Sequence, residues 1–258
     1  MATPRQIVQG ITARFLPGAV QDTNEAPVRL GRYGEMLALS IGRKQSSLGV
    51  EGTYFVTNNA QTAIASPLIT SFTAASPMLS ISNYDALSNS NWKNIELDYV
   101  NLVTGTAGAF VSGGVNAQLM IVLDTIERYS SAGTDLTPNI VNCNTGSAAK
   151  SSIAKVRFGQ LVASAPTGSA RTLVGLRILR PIVSTTVMDV AGEQKQLNFG
   201  GVEANINGSI TAANANNIPV ALPPIVIGPG GCALIYYVMN GTTPSAQTFF
   251  PEVAWSER

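Results

Sequence analysis

Residues 223–239 read PPIVIGPGGCALIYYVM: a short apolar run, a Gly/Pro cluster at 228–231, and a second, longer apolar run. A phosphate loop would need a strand, a Gly-rich turn whose amides converge on the anion, and then a helix whose N-terminus adds its dipole, usually with a Lys and a Ser or Thr. Here the turn runs into Cys232–Met239, which carries Ile235, two tyrosines and Val238 but no Lys. Two hydrophobic strands joined by glycines that adopt positive φ form a hairpin or a sheet corner. The stretch therefore predicts architecture, and an all-β architecture.

The same signal recurs along the chain. Short runs rich in Val, Ile, Leu, Tyr and Thr, bounded by Gly, Pro, Asn or Ser, occur at 94–104, 117–130, 154–164, 171–183, 195–201, 223–228, 232–239 and 247–258. In NIELDYVNLV, Ile95, Leu97 and Tyr99 alternate with Glu96 and Asp98, so apolar side chains take one face and acids the other. That is a half-buried antiparallel strand. Two packed sheets or a closed barrel would bury all these faces, and evenly spaced Gly/Pro loops fit a jelly-roll sandwich or barrel. No repeat of blade length supports a propeller, and no segment shows a convincing amphipathic helix. Residues 1–65 mix Gly, Pro, Gln, Thr and Asn with isolated hydrophobics and lack either period. They are expected to form an extended N-terminal arm with loops, lying on a neighbouring subunit or folded as surface loops with an edge strand or two; residues 66–258 form the β domain.

Composition narrows the function. The chain has 258 residues, net charge +1 and 12% charged residues, the last about half the usual share for a soluble domain. A near-neutral chain lacks the basic patch that nucleic acid or an anionic membrane selects, and no apolar stretch approaches the roughly 18 residues of a membrane helix. The start, MATPRQIVQGITARF, has no apolar signal region, so synthesis in the cytoplasm is expected. Histidine is absent, which removes Ser/His/Asp and Cys/His catalysis and imidazole metal sites. Cys143 and Cys232 show no CxxC spacing and read as small apolar residues.

The remaining motifs are weighed against structural roles. Glu96 with Asp98, and Asp124 with Glu127, are the close acidic pairs inside strands; such pairs could hold a divalent cation or share acid–base work, but a solvated strand face accounts for them better. Asn207 and Asn240 open Asn-Gly-Ser/Thr triplets, most simply loop tips. Residues 207–224 form a long polar stretch of the kind that makes contacts. Arg177, Arg180, Arg43 and Lys44 could bridge to carboxylates of another subunit or serve as solubilising charges. Trp92 is the one candidate for stacking on a sugar. The ending TFFPEVAWSER, with Phe249, Phe250 and Trp255, must be docked, as a last strand or against a partner.

The combination of GRKQSSLGVEGTYFVTNNAQTAIA, NIELDYVNLV, TLVGLRILRPIV, QLNFGG, PPIVIGPGG and the PEVAWSER ending resembles structural proteins of tailed-bacteriophage virions, and more narrowly their jelly-roll capsid cement, or decoration, proteins. The resemblance implies a chain with no reaction, cofactor or metal, which assembles as a homo-oligomer, a trimer, on the outer capsid surface and clamps neighbouring major capsid subunits. It offers no catalytic, cofactor-binding or metal residue to carry over. A barrel-type major capsid protein and a receptor- or carbohydrate-binding jelly roll of a tail fibre remain alternatives.

Overall fold

In the computed structural model the described residues are 44–67, 69, 71–85, 92–106, 115–146, 149–180, 191–192, 194–200, 217–240 and 247–258. The chain divides into residues 1–44 and a compact unit, Gln45–Arg258. The compact unit is built of strands. In chain order they are β1 (Tyr54–Asn58), β2 (Ile64–Ala65), β3 (Leu79–Asn83), β4 (Ile95–Thr106), β5 (Val115–Asp124), β6 (Tyr129–Ser131), β7 (Thr134–Asp135), β8 (Val141–Asn142), β9 (Ala154–Phe158), β10 (Val162–Ala163), β11 (Arg171–Arg180), β12 (Gln194–Phe199), β13 (Asn217–Leu222), β14 (Val226–Ile227), β15 (Cys232–Asn240) and β16 (Thr248–Glu257). Among the described residues one α-helix, α1 (Lys44–Glu51), precedes them.

Two main sheets result. The larger runs β13-β12-β4-β16-β1-β8, with β14 beside β4 and β2 beside β16; the second runs β11-β5-β15-β3-β9-β7. Among the described residues every pairing is antiparallel except β12 with β13. One core joins the sheets: Leu97, Val100, Leu197, Val253 and Trp255 from the first meet Ile81, Ile121, Val156, Ile235 and Tyr237 from the second. Tyr237 crosses edge-on to Phe249 at 5.6 Å between ring centroids. β15 is buried on both faces, because Leu234, Tyr236 and Val238 pack outward against Ala163 in a second cluster. That explains the unbroken apolar run of 232–238: strands covered on both sides lose alternation.

The all-β expectation holds, with differences in detail. Residues 45–65, read from sequence as part of an arm or as surface loops with an edge strand or two, contribute α1, β1 and β2 to the compact unit, where β1 is not an edge strand but lies between β16 and β8; residues 1–43 lie outside the described residues. The run 117–130 breaks after Asp124, and 154–164 breaks at Gly159, whose φ of +111° suits glycine. Within β4 the alternation changes phase: Ala254 faces Tyr99 while Trp255 faces Leu97, so Asp98 is the extra residue of a bulge. Tyr99 therefore leaves the apolar face assigned to it and donates its hydroxyl to Glu252 at 2.6 Å on the outer face.

The Gly/Pro cluster is a corner between sheets. It links β14 in the larger sheet to β15 in the second. Gly231 N–H donates to Gly228 O at 3.0 Å and Gly230 has φ +75°, which, with Pro229 ahead of it, makes a type II turn. Gly230 N–H donates to Asn83 O at 2.9 Å, so these two amides are spent on backbone and do not form an anion cradle.

Candidate functional site

The acidic pairs resolve into separate structural tasks. Asp98 accepts from Tyr54 Oη at 2.5 Å and from Gln45 Nε2 of α1 at 3.2 Å. Burial, and then the hydrogen bond to Asp98, push the Tyr54 hydroxyl above its ordinary pKa; Tyr99 is raised the same way by burial and Glu252. Glu127 pairs with Arg157 at 3.3 Å. Asp124 instead turns inward, where it accepts from the Thr167 hydroxyl, from Thr167 N at 3.1 Å and from Ser169 Oγ at 3.3 Å, with Arg128 Nε at 4.0 Å. Neither pair presents two carboxylates to one ligand. Among the described residues no group of three or more Cys, Asp or Glu side chains could hold a metal ion.

The other singled-out residues disperse. Cys143 is exposed and Cys232 buried, both as free thiols; burial pushes the Cys232 thiol up to about 11. Arg177 and Arg180 lie on β11 at a sheet edge. Arg43 and Asn207 lie outside the described residues, Lys44 opens α1 and Asn240 ends β15. Trp92 is 48% exposed. The C-terminal segment is docked as β16, with Trp255 stacked on Phe55 at 6.1 Å and Glu257 buried.

One concave feature adjoins the sheet corner: a cavity of about 210 Å³. Its walls are Leu123, Val226, Ile227, Pro229 and the buried Cys232, and Thr125, Ser169 and Arg171 carry polar groups to it. Thr125 Oγ1 and Ser169 Oγ lie 2.7 Å apart, and Ser169 Oγ also meets Thr167 Oγ1 at 2.8 Å, a hydroxyl chain ending on Asp124. Among the described residues the Arg171 guanidinium bonds through a single nitrogen, Nη1, donating to Ser169 O at 2.9 Å and Ala170 O at 3.4 Å. Sequence reading found the corner but not the cavity, since its other walls come from the end of β5 and the start of β11.

Sequence reading also missed Arg128, nearly fully buried. It donates to Ser164 O through Nε at 3.1 Å and Nη2 at 2.8 Å, and to Ala74 O at 2.9 Å, tying two loops over the outer face of β15. An Arg after a broken strand run carries no signal of burial. Comparison of the chain with protein-family models, with curated proteins and with solved structures finds no match.

Proposed function

We propose that this chain is a virion structural protein of a bacteriophage, a jelly-roll cement (decoration) protein that binds the outer capsid surface as a homo-oligomer, a trimer, and stabilises contacts between major capsid subunits without catalysing a reaction. The observation that carries the reading is the pairing of large exposed apolar side chains with a sparsely charged exterior: Ile126 at 59%, Val141 at 58% and Val226 at 53% exposure stand in water on a chain with 12% charged residues. Singly, such residues are ordinary; in a chain this poor in charge they favour wide contacts with other protein. A bound copy stabilises the assembled shell by mass action, because it binds the shell and not its separated parts. The resemblance of β4, β11 and β16 segments to cement proteins supports the same reading.

The test combines light scattering on the purified protein with mass spectrometry and immunogold microscopy of the source particles. A trimer present in stoichiometric amount on intact particles is expected. A monomer missing from the particles would remove the reading, and a shell made of this chain alone would replace cement with major capsid protein. A carbohydrate-binding tail-fibre role has one observation in its favour, the exposed Trp92; it requires glycan-array hits that Trp92→Ala abolishes.

A further inference from the structure

We propose that the cavity at the sheet corner is a binding site for a small organic carboxylate, a ring-sized or branched apolar group carrying one carboxylate that meets Arg171. This is independent of the virion role.

Size and walls set the apolar half of the ligand. An engineered cavity of roughly 150 Å³ lined by aliphatic side chains takes up benzene, so about 210 Å³ accommodates one ring or a branched aliphatic group. Leu123, Val226, Ile227 and Pro229 present hydrocarbon there, and Val226 is half in water, so an occupant would remove apolar wall from solvent. The site is also preformed. The type II turn at 228–231 is closed by its own hydrogen bond and tied to Asn83, and Cys232 Sγ contacts Ile126 O at 3.3 Å. A rigid wall lowers the ordering cost of binding.

The cavity's charge sets the other half. Arg171 is exposed, and its two backbone bonds both use Nη1. Among the described residues it makes no ion pair, so the Nε and Nη2 edge is open to the two oxygens of a carboxylate, the geometry an arginine fork matches. Asp124 also lines the cavity, but its oxygens are engaged by Thr167 and Ser169 and Arg128 stands 4.0 Å away, which offsets its repulsion. A phosphate fits less well, because the Gly230 and Gly231 amides are already bonded; a cation would meet Arg171.

Such a carboxylate has two sources: a free organic acid, or the C-terminus of a polypeptide ending in an apolar residue. Titration of the full-length protein with phenylacetate, with acetyl-Gly-Phe, and with the same dipeptide amidated, followed by amide chemical shifts, separates them. Saturable shifts at Thr125, Ser169–Arg171, Gly228 and Gly230–Cys232 are expected for both acids, with the amidated dipeptide weaker by about tenfold, the lower end for a charge-assisted hydrogen bond. Arg171→Gln should weaken both acids by about the same factor with the melting temperature unchanged, and Arg157→Gln, which does not line the cavity, should leave binding intact. Tighter binding of the dipeptide acid than of phenylacetate assigns a chain end as the source; the reverse order assigns a free acid. Absence of saturable shifts at these amides, or equal binding by wild type and Arg171→Gln, would overturn the proposal.

Discussion

Glu257, at the end of β16, is 2% exposed. Its Oε1 accepts from Ser152 Oγ at 2.5 Å, Ile153 N at 3.1 Å and Trp255 Nε1 at 3.1 Å. Glu257→Ala removes that acceptor. Ser152 can turn its hydroxyl elsewhere, but the Ile153 amide and the Trp255 indole are fixed, and each stranded buried donor costs about 1–3 kcal/mol. Together they predict a loss of about 4 kcal/mol. Glu257→Gln can keep an oxygen at the Oε1 position and lose chiefly the charge, so about 1–2 kcal/mol is expected. Urea unfolding followed by tryptophan fluorescence measures both, since Trp255 lies in the core against Phe55. With a urea slope near 3 kcal/mol/M, Glu257→Ala should lower the midpoint by about 1.3 M. A midpoint within experimental error of wild type at unchanged slope would refute the claim that this carboxylate pins the last strand.

Gly230 has φ +75° with open space where a Cβ would go, whereas Gly133 has φ +78° and a Cβ there would sit 2.1 Å from Leu161 Cδ2. Gly230→Ala should therefore cost about 1–2 kcal/mol from backbone strain alone, and Gly133→Ala measurably more in the same urea assay. For Asp124, burial raises the pKa, but hydrogen bonds from the Thr167 side chain and amide outweigh it and hold the carboxyl below its ordinary range. A depressed folded-state value means stability fully present above the unfolded pKa and lost as pH falls through the folded one. Melting temperature followed from pH 7 downward should thus fall in acid, with a shallower fall in Asp124→Asn. Thiol titration at mildly alkaline pH should count one reactive cysteine in the native protein, Cys143, and two in denaturant, because Cys232 is buried and its thiol pushed up.

How much of this was legible in the sequence depended on how locally each feature is encoded. β4, β11, β15 and β16 were readable because each carries a long run of β-branched, aromatic or alternating residues that only a half-buried or doubly covered strand explains. β2, β7, β8, β10 and β14 have two residues each, too short for a period, and exist because a distant strand offers its free edge. α1 was not legible either: KQSSLGVE contains Gly49 and two serines, poor helix formers, and over residues 45–51 Leu48 is the one buried side chain. The bulge at Asp98 was invisible because alternation up to Leu97 fits an unbroken strand equally well. The Gly/Pro corner was read correctly as a turn, while the cavity beside it depends on Thr125 and Arg171 arriving from other strands.

The same distinction explains what the few buried charges contribute. A two-residue slip between β4 and β16 would keep apolar side chains facing the core, since the pattern repeats every second residue; hydrophobic burial alone discriminates weakly against it. Hydrogen bonds to specific partners do not survive a slip. Moving β16 by two residues would carry Glu257 away from Ile153 and Ser152, separate Tyr99 from Glu252, and break the reciprocal backbone bonds between Asn94 and Arg258. Asp124 with Thr167 fixes the junction of β5 and the loop before β11 in the same way. Asn83, donating to Lys93 O at 2.8 Å and Ile227 O at 2.9 Å, fixes β3 against the corner. Buried polar contacts contribute little net stability once desolvation is counted, so their effect here lies in the energy gap between the native pairing and its neighbours in register. Replacing both partners of such a contact by apolar side chains of matching shape should then leave midpoint stability nearly intact while broadening the population of registers, whereas removing one partner alone, as in Glu257→Ala, strands the other and lowers the midpoint.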